Sequence, residues 1–448
     1  MRHPVFIVIG ARVRGVPDVR IGSDRHAITD IEEYAHLTRE DVEALSDELD
    51  RIRGEVTASL GETDSTYIRR TIAFQRILDI SARFVIIGSR STAAWALGTT
   101  ALAVAKSVEN MEIGHNVSHG QWDWMNDPEI HSSTWEWDQV GPSVQWRYAH
   151  NYRHHKYTNV VGMDEDVGFG VMRVTRDQEW RPIHLIQPLQ NLLLAATFEW
   201  GIALHDLQPP EQADRVRRGL RPPVRALLGK IGRQAGKDYL LFPALSGRRW
   251  RRTLKANLVA NLLRNVWAYV VIFCGHFPDG AEKFTIEELE NETRAEWYLR
   301  QMLGTANFRA GKLMAFLSGN LCYQIEHHLF PDLPSNRYAE ISTRVRELCA
   351  KYELPYTTGS LARQYFLSMR TIHKLALPDR FLLATSDDAP ETSSERKFRT
   401  PGDVRLTAAN PDRTIGLVTA LQALRTSRRT RRWNLLPPCT PEGVVHHG

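Results

Sequence analysis

The chain has 448 residues, a formal net charge of +5 at pH 7 and 24% charged residues. A chain of this length forms either two or three soluble domains or one large membrane enzyme with tails. The basic balance suits nucleic acid or anionic lipid, but no basic stretch with interleaved aromatic residues supports binding to nucleic acid. The four cysteines are scattered without a CxxC pair, which argues against a disulfide framework and against a thiolate metal site.

The two ends of the chain differ in composition from its centre. Residues 1–27 show no periodicity and are predicted to be flexible, without the pattern of a signal peptide. Residues 381–448 are rich in Asp, Pro, Ser, Thr and Arg and are predicted to form a disordered basic tail. Residues 28–380 are predicted to form one domain, and most of the chain is expected to face a reducing cytoplasm.

The first helix is predicted just inside that domain. Thr38 and Asp41 resemble a capping pair at a helix start. Apolar residues at 42, 45, 49 and 52 then recur at helical spacing, which predicts an amphipathic helix. A second helical stretch is predicted over about residues 66–83, leading into the first apolar block.

Three apolar blocks are candidate membrane segments, at about residues 84–108, 185–204 and 254–273. Each is close to the roughly 20 apolar residues that a spanning helix needs, but each has polar interruptions. Each block therefore fits either a tilted membrane helix or a core helix of a large soluble protein. Residues 207–253 are rich in Arg and Lys, which favours a cytoplasmic location. A simple crossing by the third block would then place His276 on the opposite side, so the number and orientation of crossings stay open.

Histidines occur in three groups whose spacing suits metal coordination. In HxxxH, two imidazoles share one face of a helix, and adjacent histidines suit two metals side by side. Seven imidazoles exceed what one tetrahedral zinc ion can use, so the pattern predicts two transition metals. Imidazole suits iron, zinc, copper and nickel alike. The seven are His115 and His119 in GHNVSH, His150, His154 and His155 in HNYRHH, and His327 and His328 in QIEHH.

Five polar residues beside these groups are candidates to orient the imidazole rings through their outer nitrogens. Each of them suits an ordinary surface or capping role equally well. They are Asn116, Asn151, Asn159, Asp164 and Asp166.

Four segments carry a resemblance to a known family: NMEIGHNVSHGQWDWMNDPEIHSSTWEWD, WRYAHNYRHHKYTNVVGMDEDVG, FCGHFPDGAEKF and SGNLCYQIEHHLFPDLPSNRYAEI. With them, residues 28–380 resemble the membrane-bound fatty acid desaturases and, among these, the actinobacterial acyl-CoA (stearoyl-CoA) Δ9-desaturases. The resemblance implies an all-α integral membrane protein, with transmembrane helices under a cytoplasmic helical cap that carries a histidine-rich di-iron site. It also implies a multi-pass protein of the cell membrane whose active site faces the cytoplasm.

The resemblance also assigns candidate iron ligands. The seven grouped histidines match the ligands of the family, and His276 matches an isolated histidine that some members add. Judged by sequence alone, a single histidine at a helix end is more often a polar cap. In the second group, a histidine lies four residues before the histidine doublet. The same spacing in the third group would place a histidine at position 323, which is occupied by Tyr323. The family also uses glutamine three residues before the doublet, as at Gln324, so contact of either residue with the metal stays open.

The activity implied is O2-dependent insertion of a cis double bond, at Δ9, into a saturated long-chain acyl-CoA such as stearoyl-CoA or palmitoyl-CoA. The implied cofactors are two iron ions, Fe2+ or Fe3+, with O2 as co-substrate. The sequence has no GxGxxG fingerprint, CxxC cluster or haem-binding HPGG segment, so electrons are expected from an external NAD(P)H-dependent reductase. The expected partners are an acyl-CoA or acyl-lipid substrate, a soluble ferredoxin- or flavin-type reductase and the lipid membrane, with no nucleic acid.

Two alternatives remain on the sequence alone. A fatty acid or alkane hydroxylase uses the same histidine boxes and differs in forming a hydroxylated product. A non-catalytic membrane protein that binds or stores metal is the more distant alternative. Trp122, Trp124, Trp135 and Trp137 are candidates to line the acyl tunnel, although packing in the core explains each of them individually.

Overall fold

The computed structural model describes residues 31, 33–205 and 223–379. The predicted flexible N-terminus, 1–27, and the predicted tail, 381–448, lie outside these residues. The described part of the chain is mostly helical, as predicted, with one short sheet.

Thirteen helices and two strands are labelled here in chain order within the described residues. They are α1 (Arg39–Ala58), α2 (Glu62–Gly88), α3 (Thr92–Ser107), α4 (Ser143–Arg147), α5 (Gln187–Ala196), α6 (Phe198–His205), α7 (Pro223–Ala235), α8 (Trp250–His276), α9 (Arg294–Gly304), β1 (Asn307–Arg309), α10 (Lys312–Leu317), α11 (Gln324–Leu329), α12 (Tyr338–Lys351), β2 (Thr358–Ser360) and α13 (Leu361–Lys374). β1 and β2 pair in parallel, with Phe308 opposite Gly359.

Three helices continue as π-helices, in which hydrogen bonds join residues five apart. These segments are Val108–His115 after α3, Tyr148–His154 after α4 and Gly236–Leu241 after α7. Short α-helical turns follow the first and third of them, at Asn116–Ser118 and Phe242–Leu245. Turns of 3-10 helix occur at Asp123–Met125, Val167–Gly170, Pro182–Ile186, Gly247–Arg249, Glu287–Leu289, Leu321–Tyr323 and Ser335–Arg337.

The predicted start of α1 is confirmed. The Thr38 hydroxyl accepts a hydrogen bond from the Asp41 backbone N–H at 3.1 Å, and the Asp41 carboxylate accepts one from the Thr38 backbone N–H at 2.9 Å. Leu45, Leu49 and Ile52 are buried on one face of the helix. This face packs in the same apolar core as α9 and α12.

α2, α3 and α8 form a bundle that leads to the histidines. The turn between α2 and α3 lies at the start of α8, where the Trp95 indole N–H donates to the Arg252 carbonyl at 3.0 Å. At the other end, α3 leads through its π-helix to His115 and α8 ends at His276. α3 and α8 therefore run in the same direction and α2 runs opposite to both.

Two of the three predicted apolar blocks are not single helices. The first contains the turn between α2 and α3, because the Ser91 hydroxyl caps α3 by accepting from the Ala94 backbone N–H at 3.1 Å. The second is broken at Thr197, between α5 and α6. The third lies within α8, and Gly247–His276 is the one candidate membrane span, by length and composition, within the described ranges.

Large apolar side chains nevertheless cover the outside of several helices. Isolated exposed apolar residues are ordinary, but contiguous ones mark a contact with another protein or with lipid. The exposed set, called the apolar belt, comprises Phe74, Ile77, Ile80 and Phe84 on α2, Leu189, Leu192 and Leu193 on α5, Leu240, Leu241 and Leu245 after α7, and Leu258, Leu262 and Leu263 on α8.

Candidate metal centre

Eight histidines meet where four parts of the chain converge. The segments are the π-helix after α3 with the turn that follows it, the π-helix after α4, the last residue of α8, and α11. The structure brings together every histidine that the sequence singled out. They are His115, His119, His150, His154, His155, His276, His327 and His328.

The π-helix after α4 explains how three histidines of one group reach the same centre. The His155 backbone N–H bonds to the His150 carbonyl at 3.0 Å, five residues back. In such a turn, residues four and five apart return to nearly the same face. His154 and His155 therefore both lie on the face of His150, whereas an α-helix would turn His155 away from the other two.

The eight imidazoles form overlapping sets whose nitrogen atoms lie within 4.8 Å of one another. The sets at the two ends of the cluster have no residue in common. His155 belongs to neither end set, and its ring stacks on that of His328 with a distance of 4.3 Å between the ring centroids. Two separated ends joined by shared rings suit two adjacent metal ions better than one. The end sets are His115, His119, His150 and His327, and His154, His276 and His328.

The inward nitrogens of these rings have no hydrogen-bond partner. A buried polar atom without a partner costs about 1–3 kcal/mol, so seven such rings at one point need an electrophile to satisfy them. Metal ions supply that, and imidazole is a donor that transition metals accept. The unpartnered atoms are Nε2 of His119, His150, His154, His327 and His328, both ring nitrogens of His155, and Nδ1 of His276.

Three of the predicted orienting residues hold the outer nitrogens. Asn116 Oδ1 lies 3.0 Å from His115 Nδ1. Asp164 Oδ2 lies 3.0 Å from His154 Nδ1, and Asp166 Oδ2 lies 3.3 Å from His150 Nδ1. Such bonds fix which nitrogen carries the proton and how the ring is turned, which leaves the other nitrogen for a metal.

The outer nitrogens of the third group have partners that the sequence did not indicate. His327 Nδ1 lies 3.1 Å from the Tyr338 hydroxyl. His328 Nδ1 lies 3.1 Å from Gln301 Oε1 and 3.2 Å from the Thr158 hydroxyl. These residues come from α12, α9 and the segment after the second group. No local motif links them to QIEHH, so only the folded chain shows the pairing.

Within the described residues, the side chains of the other two predicted orienting residues make their hydrogen bonds to backbone carbonyls and not to imidazoles. The Asn151 amide donates to the Ser118 carbonyl at 2.7 Å and thereby joins the first two histidine groups. The Asn159 amide donates to the carbonyls of Glu282 and Gly304, and its backbone N–H donates to Asp164 at 2.8 Å. Asn159 thus acts on His154 only through Asp164.

Gln324 lies at the centre and Tyr323 does not line it. Gln324 Nε2 is placed 2.9 Å from His276 Nε2, and Gln324 Oε1 has no partner. With the Gln324 amide turned over, His276 Nε2 donates to the Gln324 oxygen. His276 Nδ1 then remains free for a metal. This close approach depends on Gly275, where a Cβ atom would lie 2.8 Å from the Gln324 side chain.

Burial keeps most of these imidazoles neutral. It lowers the pKa of His115 to about 4, and it lowers the pKa values of His119 and His155 well below the ordinary value. The neutral ring is the form that binds metals. His154 is the exception: burial lowers its pKa, but the Asp164 carboxylate outweighs burial and leaves the pKa raised.

A narrow cavity opens from the histidines into the helix bundle. Its walls are mainly aromatic and aliphatic, and one side follows α8 back from His276 to Asn265. Trp137 lines it, as does Trp146, whose ring stacks on His150 at 4.3 Å. The apolar walls include Met111, Phe169, Phe198, Ala268, Ile272, Phe277 and Leu321.

Comparison with known proteins identifies the class to which this fold and centre belong. The family model described as "Fatty acid desaturase" matches residues 91–360, which contain all eight clustered histidines. The chain therefore belongs to the fatty acid desaturase family.

Individual members of the family differ in how similar they are to this chain. The chain is 56% identical over 416 residues, covering 91% of this chain and 97% of the relative, to the NADPH-dependent stearoyl-CoA 9-desaturase of Mycobacterium tuberculosis strain CDC 1551 / Oshkosh. The protein of the same name from strain H37Rv gives the same figures. This chain is also 27% identical over 271 residues, covering 58% of this chain and 74% of the relative, to the sn-1 linoleoyl-lipid 6-desaturase of a Synechocystis species.

Proposed function

We propose that the protein is an O2-dependent acyl-CoA desaturase that introduces a cis double bond at Δ9 into a saturated long-chain acyl-CoA such as stearoyl-CoA. The observation that carries the proposal is the cluster of eight imidazoles, seven of which have an unpartnered ring nitrogen, at the end of a largely apolar cavity. The stearoyl-CoA 9-desaturases named above match the chain over nine-tenths of its length. They support Δ9 as the position of the double bond and CoA as the carrier of the acyl group.

The two end sets of histidines would hold two iron ions. When bound, the irons supply the oxidising power that removes hydrogen from an unactivated methylene, which no side chain can do. The overall reaction consumes one saturated acyl chain, O2, two electrons and two protons, and yields one olefin and two water molecules. Gln324, which contacts His276, would serve as a weak ligand or as a partner that orients His276.

The residues around the irons position the reacting carbons. The cavity holds the acyl chain against His115, His150 and His154, and its apolar walls exclude bulk water. Trp146 stacks on His150, so its ring would border the acyl chain and also hold the His150 imidazole in place. Holding neighbouring carbons at a fixed place next to the centre determines the position and geometry of the double bond.

The apolar belt supports a multi-pass membrane protein. The belt residues on α2, α8 and the helix of residues 223–245 form exposed apolar surface, which contact with lipid would remove from water. The few charges inside the bundle are paired, as Lys106 with Asp238 at 2.7 Å and Arg83 with the same carboxylate at 3.3 Å. Buried, paired charges are typical of membrane bundles.

The direction of the helices supports an even number of crossings. In the first half of the helix of residues 223–245, Lys230 bonds to Glu136 at 2.7 Å, next to Trp137 of the cavity wall. The helix ends near the start of α8, where Ser246 bonds to Thr253 at 2.6 Å. Crossings by α2, α3, this helix and α8 then leave the histidines on one side. We propose that this side is the cytoplasm.

Electrons are proposed to come from a separate reductase. The M. tuberculosis relatives are named as NADPH-dependent, yet no dinucleotide fingerprint occurs in this chain. A soluble flavin- or ferredoxin-type protein would therefore pass electrons from NAD(P)H to the irons.

The test is the fatty acid profile of a desaturase-deficient host that expresses the chain with a compatible reductase. We expect cis-9 C16 or C18 acids by gas chromatography, none with His327→Ala, and wild-type levels with His131→Ala, whose histidine lies outside the centre. A saturated profile despite good expression would contradict the proposal. Hydroxy acids in place of olefins would favour a hydroxylase.

A further inference from the structure

The end of the helix bundle that lies away from the histidines carries a cluster of cations. The Arg249 guanidinium donates to the Gly88 carbonyl at 3.1 Å. The Arg252 guanidinium donates to the Ser91 carbonyl at 2.8 Å. These contacts join the start of α8 to the turn between α2 and α3, so the basic residues of both segments form one surface. The surface, called the basic collar, comprises Arg90, Arg248, Arg249, Arg251, Arg252 and Lys255.

The charge of the collar is not neutralised within the ranges that the structure describes. The sequence has no Asp or Glu in residues 80–108 or in residues 239–278, and the collar lies inside these two intervals. The carboxylate of Asp238, which comes just before the second interval, already pairs with Lys106 and Arg83. Backbone carbonyls accept hydrogen bonds from Arg249 and Arg252 but do not cancel their charge. Fully exposed positions in the collar are Arg90, Arg248, Arg251 and Lys255.

The apolar belt begins directly beside the collar. Its members Phe84, Leu245 and Leu258 are exposed and lie only a few residues along the chain from collar residues. Trp250 stands at the boundary, 45% exposed, with the Arg251 guanidinium 5.2 Å from the centre of its ring. Tryptophan is enriched where the hydrocarbon of a membrane meets the headgroups. Cations beside exposed apolar surface therefore match the two parts of a phospholipid, the headgroup and the acyl chains.

We propose that the basic collar binds the phosphate groups of anionic phospholipids in the leaflet opposite the histidines. This inference rests on the membrane location proposed above and goes beyond the desaturase activity. Guanidinium groups pair with phosphate oxygens through two parallel hydrogen bonds, and basic clusters beside membrane helices attract anionic lipid. A soluble anion would complement the cations alone, whereas a phospholipid would also cover the neighbouring belt.

The position of the collar adds a second argument for a bound anion. α8 extends for 27 residues, about 40 Å, from the collar to His276. Basic residues that flank membrane helices concentrate on the cytoplasmic side. The proposed topology places the histidines on that side and the collar on the other. Cations located against this tendency need a negative partner, and the phosphates of the opposite leaflet are the anions that this end of the bundle would meet.

The test measures lipid binding by the purified, iron-loaded enzyme in a non-ionic detergent. Dioleoylphosphatidylglycerol is titrated into the protein, and bound lipid is counted by native mass spectrometry, with dioleoylphosphatidylcholine as the neutral comparison. The collar variant is Arg248→Gln combined with Arg251→Gln, two exposed residues whose replacement leaves the core intact. The matched control is Arg309→Gln combined with Arg363→Gln, which removes two exposed arginines from the part of the chain that surrounds the histidines.

We expect the wild-type enzyme to bind phosphatidylglycerol more tightly than phosphatidylcholine. The collar variant should raise the Kd for phosphatidylglycerol about 25-fold, because each basic residue near an anionic membrane surface contributes about fivefold. Its Kd for phosphatidylcholine, its iron content and its Tm in lipid-free detergent should stay at wild-type values. The control should keep wild-type values for all four quantities.

Four results would overturn the inference. The first three are equal Kd values of the wild-type enzyme for the two lipids, an unchanged Kd for phosphatidylglycerol in the collar variant, and an equal loss of binding in the control. The fourth is displacement of phosphatidylglycerol by inorganic phosphate at the same concentration, which would assign the collar to a soluble anion. Failure of the proposed function is distinguishable, because the assay contains neither acyl-CoA nor reductant and does not depend on olefin formation.

Discussion

Replacement of Asp164 by asparagine is the sharpest test of how the metal centre is held. The buried carboxylate accepts from the backbone N–H groups of Asn159 and Asp166 at 2.8 and 2.9 Å, and both of its oxygens lie within 3.1 Å of His154 Nδ1. Asparagine has the same shape but only one acceptor oxygen. In either orientation its NH2 group faces one of the backbone N–H groups, and that group loses its partner.

The size of the effect follows from these contacts. One buried unpaired donor costs about 1–3 kcal/mol, and removal of a carboxylate that orients a metal-bound histidine lowers metal affinity by about 10–100-fold. We therefore expect Asp164→Asn to weaken Co2+ binding by that factor, measured by competition with a chelator, and to lose iron at the His154 end during purification.

The matched control is Glu165→Gln, the same chemical change one residue away. The Glu165 carboxylate pairs with Arg153 at 3.2 Å rather than with an imidazole of the cluster. We expect this variant to keep wild-type affinity for Co2+ and wild-type iron content. A folded Asp164→Asn protein with unchanged metal affinity and turnover would refute the argument that outer hydrogen bonds hold the ligands.

Four further outcomes are expected. Gln324→Ala should lose less iron than His327→Ala, since an amide is a weaker ligand than imidazole, and equal losses in plasma-emission analysis would contradict this. Gly275→Ala puts a methyl group 2.8 Å from the Gln324 side chain and should reproduce the Gln324→Ala phenotype rather than wild-type iron content and turnover. His276→Gln should lose about half of the bound iron and form no olefin by gas chromatography, whereas wild-type values for both would remove His276 from the centre. Metal-free protein should lose thermal stability as pH falls from 6.5 towards about 4, because the unfolded chain protonates before buried His115 does, and a flat Tm over this range would count against it.

Patterns along the chain were enough to indicate which histidines meet. Spacing within each group and the resemblance of the flanking segments singled out the residues that the fold brings together, including the isolated His276. The capping pair at Thr38 likewise marked the start of α1. These features are local, so a short window of sequence contains all the information they need.

Features that depend on distant parts of the chain were not accessible in this way. Tyr338 and Gln301 hold the two histidines of α11, yet they lie in other helices with no motif of their own. The π-helical turn at His150–His155 was missed because its sequence does not differ visibly from an α-helical one. The breaks at Ser91 and Thr197 fall inside apolar blocks, where hydropathy averaged over a window conceals a single polar residue.

The unpartnered inward nitrogens have a consequence for the amount of protein in a cell. Without metal, the folded cap encloses a group of polar atoms that water would satisfy better in the unfolded chain. Ions that bind only the folded state shift the equilibrium toward it by mass action. Iron supply would then control the abundance of the enzyme as well as its turnover, because in iron-starved cells newly made chains would be left open to proteases.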